Sequence, residues 1–165
     1  MDAPSGAGAR ERDAAAARDH GFGRSRRASS DRTARARHRS LKAWRIAKAQ
    51  HARSAAQMVD GVGAREFGGR WNSEGRSVVY AASSLSLAVL EVLVHIDPGA
   101  LPPYCFVQLE IPDRLLRSVA WPEDRAFVQA GDALLDDERW LGFLAPSVVI
   151  PEESNIVLNR SHPAF

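Results

Sequence analysis

The sequence is poor in three features: it has one cysteine, no apolar run of 18 residues, and no lysine before Lys42. The single cysteine, Cys105, cannot form an internal disulfide and is too few for a thiolate metal centre, so we expect no structural metal. Without a long apolar run, the chain has no candidate membrane span. Charged residues stand where an N-terminal signal peptide would carry its apolar stretch, which predicts a cytoplasmic protein with no membrane partner.

The first 40 residues also lack leucine, isoleucine and valine. They contain ten arginines and five acidic residues, a net charge of +5, whereas residues 41–165 contain 12 basic and 15 acidic residues, a net charge of −3. A segment with so little apolar surface cannot offset the entropy lost on ordering, so 1–40 is predicted to be disordered or loosely helical. Two interpretations are open: a basic arm that neutralises nucleic-acid phosphates, or a solvated or misassigned N-terminal tail.

Residues 41–165 have the composition of one folded domain. Short apolar or alternating runs predict β-strands, at 41–47, 77–81, 104–111, 147–150 and 156–158. Capping and apolar patterns predict helices at 84–95 and 128–135, and five glycines mark a loop at 61–75. Strands and helices do not alternate regularly, which favours a single α+β domain over a doubly wound parallel sheet.

The predicted helix at 84–95 is apolar on nearly every side, which predicts a buried helix. Glu91 is the only charged residue between its ends. A buried carboxylate is costly unless it is paired or reaches a cavity. Two interpretations are therefore open: a structural pair with His95 or a helix end, and a catalytic carboxylate at the wall of a pocket.

Arg70 follows two glycines and precedes Trp71. A guanidinium group close to glycine backbone suits bidentate binding of a phosphate or carboxylate, and the alternative is a solvated loop residue. Arg45 and Tyr80 lie on predicted strands and are candidates for a functional site. The ordinary alternatives to a functional role are an exposed position for the arginine and a core position for the tyrosine.

Serine hydrolysis is disfavoured by the sequence. Three serines and a histidine are candidates for a nucleophile and its base: Ser84, Ser147, Ser154 and His95. Neither a GxSxG element nor an SxxK element is present, so no serine has the setting of a known nucleophile.

Three blocks of the sequence together resemble the RES domain, the toxin component of RES–Xre toxin–antitoxin systems. The blocks are Trp44-Arg45-Ile46, GGRWNSEGRSVVYAASSLSLAVLEVLVH beginning at Gly68, and PSVVIPEESNIVLNRSHPAF beginning at Pro146. They occur in the family's order and spacing. The resemblance places the family's functional positions on six residues: Arg45, Arg70, Tyr80, Glu91, Ser147 and Asn155. The family's common Asn-Pro pair is replaced here by Asn159-Arg160.

The resemblance implies a fold similar to that of ADP-ribosyltransferases, with a split β-sheet and flanking helices. Family members deplete NAD+ by cleaving its nicotinamide–ribose bond with water or phosphate, so NAD+ is the expected substrate and no separate cofactor is expected. The implied partner is an Xre-type helix-turn-helix antitoxin, which would inhibit the toxin and make the DNA contacts. Two alternatives remain: a transferase that ADP-ribosylates a protein, and a non-enzymatic basic binding module.

The resemblance also implies a role for each site residue. Glu91, Arg70 and Tyr80 are expected to be catalytic, and the residues expected to bind NAD+ are Arg45, Arg70, Tyr80, Ser147 and Asn155. Loss of nicotinamide leaves an oxocarbenium-like ribose, which a carboxylate can stabilise. Arginines can hold the pyrophosphate, and an aromatic ring can stack on nicotinamide. Whether water, phosphate or a protein accepts the ADP-ribosyl group is left open by the sequence.

Overall fold

The computed structural model describes residues 39–96 and 101–165. Within these ranges the chain forms one mixed six-stranded sheet with helices packed on it, which confirms the predicted α+β class. The strands are β1 Ser40–Lys48, β2 Val78–Ala82, β3 Tyr104–Pro112, β4 Leu116–Ser118, β5 Gly142–Pro146 and β6 Ser154–Asn159. The α-helices are α1 Ala55–Met58, α2 Val62–Phe67, α3 Leu85–Leu93 and α4 Phe127–Leu135. The prediction of a disordered tail at 1–40 falls, up to residue 38, outside the described residues.

Most predicted elements are confirmed to within about two residues at their ends. The strands predicted at 41–47, 77–81, 104–111 and 156–158 correspond to β1, β2, β3 and β6, and the helix predicted at 128–135 corresponds to α4. The prediction of a loop at 61–75 is confirmed only for residues 68–75, because α2 occupies Val62–Phe67. The Asp60 carboxylate accepts a hydrogen bond from the Val62 N–H and satisfies one free donor at the start of that helix.

The strand predicted at 147–150 is wrong. The strand in this region is β5, which ends at Pro146, and the apolar residues after it form a turn. The Ser147 hydroxyl accepts hydrogen bonds from the N–H groups of Val149 and Ile150, which bends the chain. Val149 and Ile150 then pack against α3 instead of entering the sheet, so their apolar character reflects a tertiary contact.

The prediction of a helix buried on nearly every side is also wrong. The helix begins as predicted, with the Ser84 hydroxyl accepting a hydrogen bond from the Leu87 N–H at 3.0 Å. Leu87 and Ala88 are its buried residues, whereas four apolar side chains are 36–57% exposed: Val89, Leu90, Leu93 and Val94. Helix α3 therefore packs one face against β1 and β2 and leaves apolar side chains partly exposed on the other.

The strand order is β3-β1-β2-β6-β5-β4. β1 pairs with β3 along nine residues and β2 with β6 along five, but along their described lengths β1 and β2 are paired at a single position, Trp44 opposite Ala82. The sheet therefore opens between β1 and β2. Helix α3 packs against both strands and covers this opening, which we call the seam.

The apolar core lies on both faces of the sheet. One face is filled by side chains such as Ala43, Val79 and Ile156, and the other by Trp71 and Phe143 beneath α4. The Trp71 ring meets the Phe127 ring of α4 edge-on, with 5.0 Å between their centroids. The glycine-rich turn that contains Arg70 is thereby fixed against the sheet.

Candidate active site

A cavity of about 470 Å³ opens at the seam, within the size range of small-molecule sites. β1 and β2 form its floor, α3 forms one wall, and the turn at Gly68 to Trp71 forms another. Five of the six predicted site residues line it: Arg45, Arg70, Tyr80, Glu91 and Asn155. Ser147 lies outside the lining and is fully buried behind Glu91.

The Glu91 carboxylate is held by two side chains from distant parts of the sequence. Its Oε1 accepts hydrogen bonds from the Ser147 hydroxyl and from the Asn155 side-chain amide, each at 2.7 Å. Among the ion pairs of the described residues, none joins Glu91 to His95. Glu91 is thus a carboxylate held by neutral donors at a cavity wall, where it can face a developing positive charge.

Tyr80 is fixed to the glycine-rich turn by its hydroxyl group. The hydroxyl donates to the Asn72 side-chain oxygen at 2.7 Å and accepts from the Trp71 N–H at 3.0 Å. Burial raises the pKa of Tyr80 to about 12, so the hydroxyl stays protonated near neutral pH. A Cβ added to Gly69 would lie 2.5 Å from this hydroxyl, so the turn needs glycine there. Tyr80 also lines the cavity.

Arg70 is exposed at the rim of the cavity. Its guanidinium carbon lies 5.6 Å from the centroid of the Phe127 ring, a cation–π contact that orients the side chain. Within the part of the chain that the structure describes, Arg70 forms no ion pair. Its N–H groups are therefore available to an anionic ligand.

Arg45 spans the seam. Its Nη1 donates to the Tyr80 carbonyl oxygen at 2.8 Å, and its Nε donates to the Met58 carbonyl oxygen. These bonds join β1 to β2 and to α1 at a place where the backbone ladder of the sheet is missing. Desolvation by burial lowers the pKa of Arg45, and the negative charge of Asp60 partly opposes this effect. The exposed strand arginine considered from the sequence is therefore a half-buried side chain that also reaches the cavity.

Two contributors to this site, Asn72 and Trp44, were not singled out as site residues by reasoning from the sequence. Asn72 is almost fully buried, and its amide donates to the carbonyl oxygens of Ala64 and Ser73, both at 2.9 Å. Trp44 and His95 line the cavity. Asn72 matters because its side-chain oxygen accepts from the Tyr80 hydroxyl. This contact arises only in the folded chain, so no sequence pattern indicated it.

The described residues contain no cluster of three or more histidine, cysteine, aspartate or glutamate side chains placed to hold a metal. None of the helices in these ranges has the length and apolar character needed to cross a bilayer. Cys105 is free and exposed on β3.

A sheet that opens at one strand pair, with a glutamate, a tyrosine and an arginine around the opening, is the arrangement that the resemblance to a toxin family implied. The family model described as RES domain matches residues 42–165. The chain therefore belongs to the RES domain family, and the resemblance found from the sequence is confirmed.

Curated relatives share most of their length with this chain. It is 39% identical over 134 residues to the Prs ADP-ribosylating toxin of Sphingobium sp., covering 73% of this chain and 83% of that protein. It is 40% identical over 124 residues to Toxin Res of Yersinia enterocolitica, covering 68% and 82%. It is 33% identical over 127 residues to Toxin Res of Photorhabdus laumondii, covering 70% and 80%. All three relatives are named toxins.

Proposed function

We propose that this protein is a RES-type toxin that degrades NAD+ by cleaving the bond between nicotinamide and ribose. The observation that carries the proposal is the position of the Glu91 carboxylate, held by two hydrogen-bond donors at the wall of a cavity that also presents Tyr80 and Arg70. The relative named an ADP-ribosylating toxin supports chemistry on the ADP-ribosyl group.

In the proposed reaction the glycosidic carbon–nitrogen bond breaks and its electron pair leaves with neutral nicotinamide. The ribose carbon becomes an oxocarbenium-like cation, which the negative charge of Glu91 stabilises. Water then adds to this carbon and releases a proton, giving ADP-ribose. If phosphate adds instead, the product is the phosphorylated form of ADP-ribose. NAD+ is the substrate in both cases, and the proposal includes no separate cofactor or metal.

The remaining residues bind the substrate in this proposal. Arg70 holds the pyrophosphate, because its guanidinium is exposed at the rim and oriented by Phe127. Tyr80 presents its ring to the cavity while its hydroxyl is occupied by Asn72 and Trp71. Arg45 has Nε and Nη1 committed to backbone carbonyls, so only its remaining N–H groups can reach the pyrophosphate. Asn155 lines the cavity, and its side-chain amide donates a hydrogen bond to Glu91.

The test is a product analysis with the full chain. NAD+ is incubated with the protein in the presence and absence of phosphate, and the products are identified by mass. We expect nicotinamide with ADP-ribose, or with its phosphorylated form when phosphate is the acceptor. Glu91→Gln should lower the rate by about 10²–10³-fold, the effect of losing one electrostatic contact to a transition state. Glu110→Gln, an exposed carboxylate on β3, is the matched control. An unchanged rate in Glu91→Gln would contradict the assignment.

A second candidate function is mono-ADP-ribosylation of a protein, favoured by the relative from Sphingobium that is named an ADP-ribosylating toxin. The same cavity residues would serve both reactions, because both break the same glycosidic bond and differ only in the acceptor. Transfer of labelled ADP-ribose from NAD+ to a protein band, with no free ADP-ribose, would favour this second function.

The proposal also includes an inhibitory partner and a compartment. RES toxins are paired with antitoxins, and an Xre-type helix-turn-helix antitoxin is the partner that the family resemblance implies for this chain. DNA contact would come from that antitoxin, with the basic residues before residue 41 as the alternative source. We place the complex in the cytoplasm, where NAD+ is available. Co-expression of a cognate Xre-type antitoxin should restore growth to cells that express this chain.

A further inference from the structure

Ser147 is buried and its hydroxyl makes three hydrogen bonds. The oxygen accepts from the N–H of Val149 at 3.0 Å and from the N–H of Ile150 at 3.2 Å. The hydroxyl donates to Oε1 of Glu91 at 2.7 Å. No atom of Ser147 is exposed to solvent, and the residue does not line the cavity.

These contacts determine the direction of the hydroxyl proton. A serine hydroxyl has one proton to donate and two lone pairs that accept. Both lone pairs of Ser147 are occupied by backbone N–H groups of the turn, so the proton points to Glu91. Rotating the hydroxyl toward another acceptor would leave Oε1 of the half-buried Glu91 with one donor fewer, at a free-energy cost.

Asn155 completes the support of the same carboxylate oxygen. It lies on β6 opposite Ala82 of β2, and its amide donates to Glu91 Oε1 at 2.7 Å. With two donors on Oε1, the carboxylate plane is fixed relative to both the sheet and the turn after β5. Oε2 is then the oxygen that Glu91 offers to the cavity.

We propose that Ser147 is a positioning residue, which acts through Glu91 and does not contact NAD+. Its hydroxyl transmits the fixed geometry of the turn at 147–150 to the carboxylate and aims Oε2 at the reacting ribose carbon. This inference rests on the proposed function, and it replaces the expectation that Ser147 binds the substrate.

The experiment compares Ser147→Ala with Ser83→Ala in the full chain. Ser83 is a matched control because its hydroxyl also contacts a glutamate, Glu153 at 3.4 Å, but it does not line the cavity. For Ser147→Ala we expect kcat to fall by about 10- to 100-fold, the loss of one hydrogen bond to a charged group, while KM for NAD+ changes less than about twofold. Ser83→Ala should leave both constants unchanged.

Two further measurements separate positioning from a general effect on folding. In the Glu91→Gln background, Ser147→Ala should lower kcat by less than about twofold. A residue that acts only through the Glu91 carboxylate has no further effect on kcat once that carboxylate is removed. The side-chain carboxyl carbon resonance of labelled Glu91 should shift in Ser147→Ala and not in Ser83→Ala. This resonance reports on the contact even in a protein that does not consume NAD+.

Distinct outcomes would overturn the two proposals. If the unaltered chain releases no nicotinamide, the proposed function is wrong. Independently of that result, an unshifted Glu91 resonance in Ser147→Ala would overturn the proposed contact between Ser147 and Glu91. If the chain consumes NAD+ but Ser147→Ala raises KM with kcat unchanged, Ser147 contacts the substrate and the positioning role is wrong. Multiplicative losses in the double variant would also overturn it.

Discussion

Arg45 and Arg70 both reach the cavity, but their guanidinium groups have different surroundings. Arg45 is half-buried and donates to the Tyr80 carbonyl across the seam and to the Met58 carbonyl of α1, whereas Arg70 is exposed and rests on an aromatic ring. A guanidinium that satisfies carbonyls stabilises the fold, and a guanidinium at a rim is free to bind an anion. At the scale of the residue, we therefore expect Arg45 to contribute mainly to the stability of the fold and Arg70 mainly to binding of an anionic ligand.

We expect Arg45→Ala to lower the free energy of unfolding by about 1–3 kcal/mol, since two carbonyl oxygens lose their donor. Arg70→Ala should instead raise KM for NAD+ by about tenfold or more with an unchanged Tm, because it removes a ligand contact and no internal bond. Thermal unfolding and initial-rate kinetics measure the two effects. Arg65→Ala, an exposed arginine on α2, is the control for lost surface charge. A stable Arg45→Ala protein would show that the seam does not depend on this side chain.

Tyr80 gives a prediction for the pH dependence of stability. Its pKa is raised from 10.0 to about 12 because burial disfavours the charged form. The unfolded chain therefore loses this proton first, so the contribution is fully present below pH 10 and is lost as the pH rises toward 12. Urea unfolding at several pH values should show a smaller decrease in this interval for Tyr80→Phe than for the unaltered chain. Equal decreases would place the titration elsewhere.

At the scale of the element, the approach of α4 to the glycine-rich turn depends on Gly131. A Cβ at this position would overlap the carbonyl oxygen of Trp71, the residue next to Arg70. The helix can lie this close to the turn only because one of its residues has no side chain. Helix α4, about 60 residues after the turn in the sequence, thus helps to determine the position of Arg70 at the rim of the cavity.

We expect Gly131→Ala to destabilise the protein and to raise KM for NAD+, because α4 must move away from Trp71. Helix propensity alone favours alanine over glycine by about 1 kcal/mol, so the clash determines the sign. Gly63→Ala in α2 is the control for stability, since a Cβ there meets no atom within 4 Å and propensity should act unopposed. Thermal unfolding of both variants measures the contrast, and a more stable Gly131→Ala would contradict the packing described.

Sequence patterns were informative for elements whose local preference agrees with their tertiary role. β3 reads as a strand because β-branched and aromatic residues are enriched along it, and α3 begins where Ser84 caps it. The patterns failed where a tertiary contact determined the outcome. The run at 147–150 is apolar because it packs on α3, and the outer face of α3 is apolar although its side chains are 36–57% exposed.

At the scale of the whole molecule, the site depends on contacts between distant parts of the chain. Ser147 and Asn155 reach Glu91 across 56 and 64 residues of sequence. The family resemblance identified these residues, but their relative positions follow from the strand order, which no local pattern contains. For this reason the sequence could name Ser147 as a site residue but could not predict that its hydroxyl donates to Glu91 from outside the cavity lining.

The seam has a thermodynamic consequence for the protein as a whole. The backbone ladder between β1 and β2 is reduced to one paired position, so the two parts of the sheet are held together there by the Arg45 bridge, by α3 and by the apolar core that Ala43 shares with Val79. Local opening of a folded protein costs less free energy where backbone hydrogen bonds are few, and the β1–β2 junction has fewer of them than the other strand pairs of the sheet. A ligand that spans the seam binds only the closed form, so it suppresses this opening in proportion to its concentration relative to Kd. The proposed NAD+ site lies at this junction, so we expect occupancy of the cavity to slow local opening between β1 and β2.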